Sequence, residues 1–193
     1  KEIAQASSAP HPEDDGILYP GTCRNGMRAG AAVRSWRLRV PDVEVCFDDL
    51  RRGRICQNPG ARCGDFALAR GDGEFAYQLA VVVDDHLTGV TQVVRGDDLL
   101  ASTPRQILLQ GLLGYPRPGY CHLPLVTGPG GVKLSKRDNL VANHLGNWAG
   151  REGALLLALL SFMGQEPPGE LMGAGCREIL AWGAAHFDVR RIP

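Results

Sequence analysis

Val90-Thr91-Gln92-Val93-Val94-Arg95-Gly96-Asp97-Asp98-Leu99-Leu100 is the stretch on which the fold turns. The β-branched run from Val90 to Val94 reads as a buried strand, and the polar Arg95-Gly96-Asp97-Asp98 ends it. Asp98 stands where it can cap a following helix, for which Leu99, Leu100, Ile107, Leu108, Leu112 and Leu113 supply the apolar face and Gly114 the stop. A further strand over His122 to Val126 completes strand, helix, strand, the βαβ order of a parallel sheet. The expected class is therefore α/β.

Working outward, Val33, Trp36, Leu38 and Val40, then Val43, Val45 and Phe47 after Pro41, alternate as two short strands. Arg51 to Gly64 is basic and turn-rich. Phe66 and Leu68, then Gly71-Asp72-Gly73, then Phe75 and Tyr77 carry the Asp-Gly signal of a hairpin. Leu79 to Val83 is an apolar run ending at Asp84-Asp85, a pair suited to capping or ion pairing and given no catalytic role. Toward the C-terminus two helices are expected, Glu152 to Met163 and about Glu170 to His186, parted by Pro167-Pro168, with the apolar Ala154 to Met163 devoted to packing. The polar residues 1–16 predict a short helical stub giving way to loop.

The 193 residues include 21 basic and 21 acidic side chains, a balance that disfavours a general nucleic-acid coat or a polybasic membrane binder. With 25 glycines and 13 prolines the chain is loop-rich but not low-complexity. At this length folding should bury roughly 70% of the unfolded surface, so no disulfide staple is needed. The six cysteines show no CxxC and no regular framework, which predicts a reducing, cytoplasmic setting. The longest apolar run, Ala154 to Gly164, falls well short of the ~20 residues of a membrane span. A start at Lys1-Glu2-Ile3-Ala4, with neither Met nor an apolar leader, reads as an internal cut.

Among residues that could carry chemistry, Lys133-Leu134-Ser135-Lys136-Arg137 follows the turn Gly128-Pro129-Gly130-Gly131. Two ammonium groups on a glycine-hinged loop can close over a polyphosphate and neutralise a departing leaving group. By spacing alone, such a cluster is more often a solvated surface run. No Walker-type phosphate loop and no G-x-G-x-x-G occurs. His122, just before Leu123-Pro124-Leu125, reads as structural in preference to catalytic. Arg95 alone fits an ion pair with Asp97 or Asp98, and Tyr77 a core tyrosine. Cys46, Cys56 and Cys63 read as small buried or strand side chains.

Lys133 to Arg137 resembles the KMSKS signature of class I aminoacyl-tRNA synthetases. Tyr77-Gln78-Leu79-Ala80-Val81-Val82-Val83-Asp84-Asp85, followed by Gly89 to Leu100, is similar to the glutamyl-tRNA synthetase group, and Tyr19-Pro20-Gly21-Thr22-Cys23-Arg24 to its truncated branch, the glutamyl-Q tRNA(Asp) synthetases. The resemblance runs from about Ile17 to the last helix. It implies the second half of a Rossmann-like catalytic core with an inserted α/β subdomain and a C-terminal helical subdomain. The expected boundaries are 1–29 for a zinc-subdomain remnant, 30–78 for the insertion, 79–130 for the half-core, and 131–193 for the KMSKS-like loop and helices.

The same resemblance implies a ligase that activates L-glutamate with ATP as glutamyl-adenylate and transfers glutamate to the queuosine base of tRNA(Asp). Tyr77 and Arg95 would bind glutamate, Lys136 the ATP phosphates with Lys133 beside it in catalysis, and Tyr19 with Cys23 would be two of four zinc ligands. The first ligand pair, a Cys-x-Cys, and the family's HIGH motif are expected upstream of Lys1, so this chain alone is expected to be inactive. A glutamyl-tRNA synthetase cut at both ends, and a non-catalytic RNA-binding module using Arg34, Arg37, Arg39 and Arg51-Arg52-Gly53-Arg54, are the alternative readings.

Overall fold

The computed structural model describes residues 19–128, 146 and 148–193, and separates into two units, 1–122 and 123–193. In the first, β1 (Ser35–Arg37) pairs antiparallel with β4 (Ala67–Arg70) in a two-stranded sheet. A four-stranded sheet holds β2 (Val45–Asp49), β3 (Gly53–Gln57), β5 (Gln92–Gly96) and β6 (Gly119–Leu123) in the order β3-β2-β6-β5. Its pairing is mixed, because β2 and β3 are antiparallel while β2 and β6 are parallel, with Asp49 opposite Tyr120.

The tight β2–β3 turn has a local cause. Asp49 Oδ1 accepts the backbone N–H groups of Arg51 (3.1 Å) and Arg52 (2.9 Å), and Gly53 takes a φ of 70° that side chains disfavour. The segment expected to be only basic and turn-rich thus contains β3 and a short helix, α1 (Pro59–Arg62), capped by Asn58. In β3 the half-buried Ile55 faces Phe47 while Arg54 lies opposite Asp48, so the arginines hide a real alternation. Cys46 and Cys56 also face each other across this pair, with Cα atoms 4.1 Å apart, and form a disulfide. Both are strand side chains, as expected, but they are joined to each other, which the cysteine spacing did not suggest.

The other strand and helix expectations need similar adjustment. The Gly71–Gly73 turn forms, closed by Arg70 N–H to Glu74 O at 2.8 Å, but its return arm is the single Ala69–Phe75 bridge and Tyr77 begins a helix. That helix, α2 (Tyr77–Leu87), takes in Leu79 to Val83 and Asp84-Asp85. The strand read as buried is half exposed, Val94 at 57%. Asp98 is not the cap, because a 3₁₀ turn over Asp97–Ser102 intervenes before α3 (Thr103–Leu113). Gly114 ends α3 with φ 70°, as expected. β6 closes at Leu123, since Pro124 has no N–H to continue the ladder.

Helix α3 is gripped on two sides. Ile107 joins Val45, Phe47 and Tyr120 against the large sheet, and Leu109 joins Val40, Phe66 and Val82. The buried Gln78, Ser102 and Gln106 satisfy one another, Gln106 Nε2 to Gln78 Oε1 and Gln78 Nε2 to Ser102 Oγ at 3.0 Å each. Leu112 and Leu113 are exposed, so the apolar face ends a turn earlier than the leucines imply.

In the second unit, α4 (Glu152–Phe162) packs on α5 (Cys176–His186), where a Cβ on Gly183 would lie 3.3 Å from Leu160. A short 3₁₀ turn, Gly169–Leu171, and Gly173 to Gly175 break what reads as one helix from Glu170. No residue of the strongly apolar α4 is fully buried. Buried Gln165 fastens the end of α4 by donating to Asp188 O (3.1 Å) and accepting from Asp188 N–H (2.9 Å). Gly164 beside it has φ 72° and would push a Cβ to 1.9 Å from the Arg191 carbonyl. Among the described residues no helix is long and apolar enough to cross a membrane. Gly114→Ala, with open space around it, is expected to cost about 1 kcal/mol from its left-handed backbone alone. Gly164→Ala should cost clearly more, because the same strain is joined by a backbone clash; thermal unfolding of the two variants measures the difference.

Candidate active site

Three strands deliver polar side chains at their own carboxyl ends: Asp49 at the last residue of β2, Arg95 next to last in β5, and His122 next to last in β6. Ligands of α/β sheets gather at that end. Asp49 and His122 are wholly buried, and Asp49 Oδ2 lies 2.7 Å from His122 Nδ1 and accepts the His122 backbone N–H at 3.0 Å. Arg95 donates from Nε to His122 Nε2 (3.1 Å) and from Nη2 to Thr103 Oγ1 (2.6 Å). The guanidinium also rides 5.8 Å from the centre of the Tyr120 ring.

Burial pushes the Arg95 guanidinium below its ordinary range, and the nearby Tyr77, Tyr120, Asp85 and Asp98 pull it back. Tyr77, the first residue of α2, is thus brought within electrostatic reach of Arg95, and its side chain stays partly exposed. Burial likewise raises the Asp85 carboxyl against the lowering influence of Arg95. Arg95 does not take Asp97, which is held by Arg51 at 3.0 Å and by Arg52. Desolvation would raise the Asp97 carboxyl, but these two arginines hold it low. Arg54 lies 3.7 Å from Asp48, so the basic turn is matched by carboxylates.

Tyr19 and Cys23 sit together on a tight turn, the Cys23 N–H donating to Tyr19 Oη at 2.9 Å with Gly21 at φ 72°. They line a cleft of about 410 Å³ with Arg34, Arg37 and Arg39. Arg37 lies 4.3 Å over the Tyr19 ring and donates to Asp65 O at 2.9 Å. Arg24 pairs with the buried Asp65 carboxylate, which also accepts the Val40 N–H at 2.9 Å. A phenol oxygen and a free, exposed thiol suit zinc, and the described residues supply two donors at this point. The one three-donor cluster among the described residues, Glu44 with Cys46 and Cys56, has its sulfurs joined in the disulfide. Lys133 and Lys136 lie outside the described residues.

Sequence reasoning missed Asp49 and Thr103. Neither stands in a motif; strand pairing brings Asp49 to His122, and the 3₁₀ turn brings Thr103 to Arg95. His122, read as structural, is in contact with the predicted glutamate-site arginine. Burial is the largest influence on the His122 imidazole and lowers it; the hydrogen bond to Asp49 opposes, Arg95 adds to the lowering, and Asp97 opposes weakly. The folded ring therefore takes a proton less readily than the unfolded ring, whose ordinary value is about 6.5. Its contribution to stability is complete above that value and is lost as pH falls through the lower folded value. The melting temperature should thus be level from pH 8 to about 7 and decline below about 6.5, and His122→Asn should remove part of that decline.

The sequence matches the family described as tRNA synthetases class I (E and Q), catalytic domain, over residues 19–172. It is 56% identical over its whole length to the glutamyl-Q tRNA(Asp) synthetase of Geobacter sulfurreducens, of which it covers 62%. To the protein of the same name from Thiobacillus denitrificans it is 48% identical over 98% of the chain, again covering 62%. The chain thus spans somewhat under two thirds of the length of these relatives. In fold, 81% of the chain superposes on 34% of a crystal structure of the glutamate-tRNA synthetase of Elizabethkingia anophelis, with a TM-score of 0.61 and 24% identity. The chain belongs to the class I tRNA synthetase family that serves glutamate and glutamine, and most of it is catalytic domain.

Proposed function

We propose that the full-length protein containing this chain activates L-glutamate with ATP and passes the glutamyl group to the queuosine base of tRNA(Asp). The observation that carries this reading is Arg95, a partly buried guanidinium at the end of β5 whose hydrogen bonds go to the neutral groups His122 and Thr103, with Tyr77 in reach. A guanidinium grips a carboxylate by two parallel hydrogen bonds, which suits the side chain of glutamate and not that of glutamine. The names of the Geobacter and Thiobacillus relatives support the acceptor tRNA.

In this reading the chain supplies the second half of a Rossmann-like catalytic core. The glutamate α-carboxylate oxygen attacks the α-phosphorus of ATP, pyrophosphate leaves, and a nucleophile of the base then displaces AMP from the adenylate. Lys136, with Lys133, stabilises the charge that builds on the departing phosphates. Tyr19 and Cys23 would provide two of the four ligands of a structural zinc, which would take no part in these steps. Such a reaction belongs to the cytoplasm, where ATP and tRNA occur together. The RNA-module reading draws little from the Arg51–Arg54 turn, whose arginines face Asp97 and Asp48.

ATP-pyrophosphate exchange in the full-length protein tests the assignment. Arg95→Lys is expected to lower kcat/KM for glutamate nearly as far as Arg95→Ala, on the order of 10²-fold, because an ammonium cannot reproduce the fork. Retention of near-native efficiency by Arg95→Lys would remove Arg95 as the carboxylate clamp. Lys136→Ala should lower the exchange rate by roughly 10²–10³ while glutamate affinity changes little, since its contact matters most in the transition state.

A further inference from the structure

We propose that Asp49 and His122 are a positioning pair for Arg95, setting by the tautomer of one buried imidazole where the glutamate-binding guanidinium stands. The inference rests on the glutamate reading above and adds to it two residues that no motif contains. Three backbone N–H groups point at the two Asp49 oxygens, those of Arg51 and Arg52 at Oδ1 and that of His122 at Oδ2, and His122 Nδ1 lies 2.7 Å from Oδ2. A carboxylate that already accepts three backbone N–H groups acts as an acceptor toward Nδ1 too, so the imidazole carries its hydrogen on Nδ1. His122 Nε2 is then a lone pair, with Arg95 Nε and Thr103 Oγ1 each 3.1 Å from it.

That lone pair is what Arg95 needs. Its Nε, which can only donate, lies 3.1 Å from Nε2, and its Nη2 lies 2.6 Å from Thr103 Oγ1. The two bonds fix the guanidinium plane along one edge. Among the described residues, the remaining N–H groups on Nη1 and Nη2 are left for a bound carboxylate. With the hydrogen on Nε2 instead, that N–H would turn to Thr103 Oγ1, also 3.1 Å away, and Arg95 Nε would face a donor and have to swing away. An arginine held this way before the substrate arrives has less conformational freedom to lose on binding. Thr103 is also wholly buried, so the bracket on both sides of the guanidinium is dry and rigid.

The test uses two variants of His122 in the full-length protein, read by the KM for glutamate in ATP-pyrophosphate exchange. His122→Asn keeps an amide at the level of Nδ1 for Asp49 but has nothing that reaches Arg95. His122→Gln places an amide oxygen at the level of Nε2. The Asn variant is expected to raise the glutamate KM about tenfold or more with the KM for ATP unchanged, and the Gln variant to recover most of that loss. In combination with Arg95→Ala, His122→Asn should add nothing further to the glutamate KM. Equal glutamate KM values for the two folded variants would overturn the positioning role and leave the glutamate reading intact. An Arg95→Ala variant with unchanged glutamate KM would instead overturn the glutamate reading, and the pair's role with it. Should His122→Asn not fold, ring ¹⁵N shifts of the wild-type protein decide: an Nδ1–H tautomer supports the proposal, and an Nε2–H tautomer overturns it.

Discussion

A single buried carboxylate organises this half of the molecule. Asp49 is removed from water and would be costly there unless its oxygens were fully engaged. The four N–H groups that engage it come from two places far apart in sequence, the turn after β2 and the strand β6. One oxygen shapes the turn that starts β3, and the other fixes β6 alongside β2 at the Asp49–Tyr120 position. Local turn, sheet assembly and imidazole tautomer are three consequences of one desolvated charge. The Arg51 side chain adds a second strap, donating to the His122 carbonyl and to Asp97 at 3.0 Å each. The chain leaving β5 is thereby held to the β2–β3 turn.

Helix α3 shows why periodicity reaches only part of the way. An amphipathic helix has one apolar stripe, yet this one is buried on two sides and fills the seam between them with glutamines. Those glutamines are tolerable because each finds a partner, Gln106 on Gln78 and Gln110 on Tyr120 Oη at 3.1 Å. A pattern search sees Gln106 and Gln110 as the wet face. The leucines at the C-terminal end mislead in the opposite sense, since Leu112 and Leu113 stay exposed.

The order of strand, helix and strand was legible because β-branched runs and a terminating glycine are local signals, and so was the turn at Gly71–Gly73. What escaped depends on pairing. Gly53–Gln57 reads as basic turn until Phe47 and Asp48 stand opposite Ile55 and Arg54, and Cys46 and Cys56 read as unrelated until register sets them face to face. Asp98 fails as a cap because the chain tightens into a 3₁₀ turn first, whose opening residue Asp97 is held by Arg51 and Arg52. For the site, the resemblance supplied Arg95 and Tyr77 but not what holds Arg95. Asp49 is 46 residues away from Arg95 in sequence, and no spacing rule connects them.

The sorting of charge follows from the same contacts. Arg51, Arg52 and Arg24 are matched by carboxylates and act as struts. Arg95 differs in that its direct hydrogen-bond partners, an imidazole and a hydroxyl, bring no negative charge, while burial already strains its protonated state. Tyr77, Asp85 and Asp98 ease that strain only from a distance. A guanidinium so placed keeps most of its attraction for an anion, and a carboxylate arriving at its open edge relieves a cost that folding has already incurred. Had Asp97 paired with Arg95, as their nearness in sequence invites, the strap to the β2–β3 turn would be lost and the open edge of the guanidinium would already hold a carboxylate. The arginines of the β2–β3 turn occupy Asp97, and the direct partners of Arg95 remain uncharged.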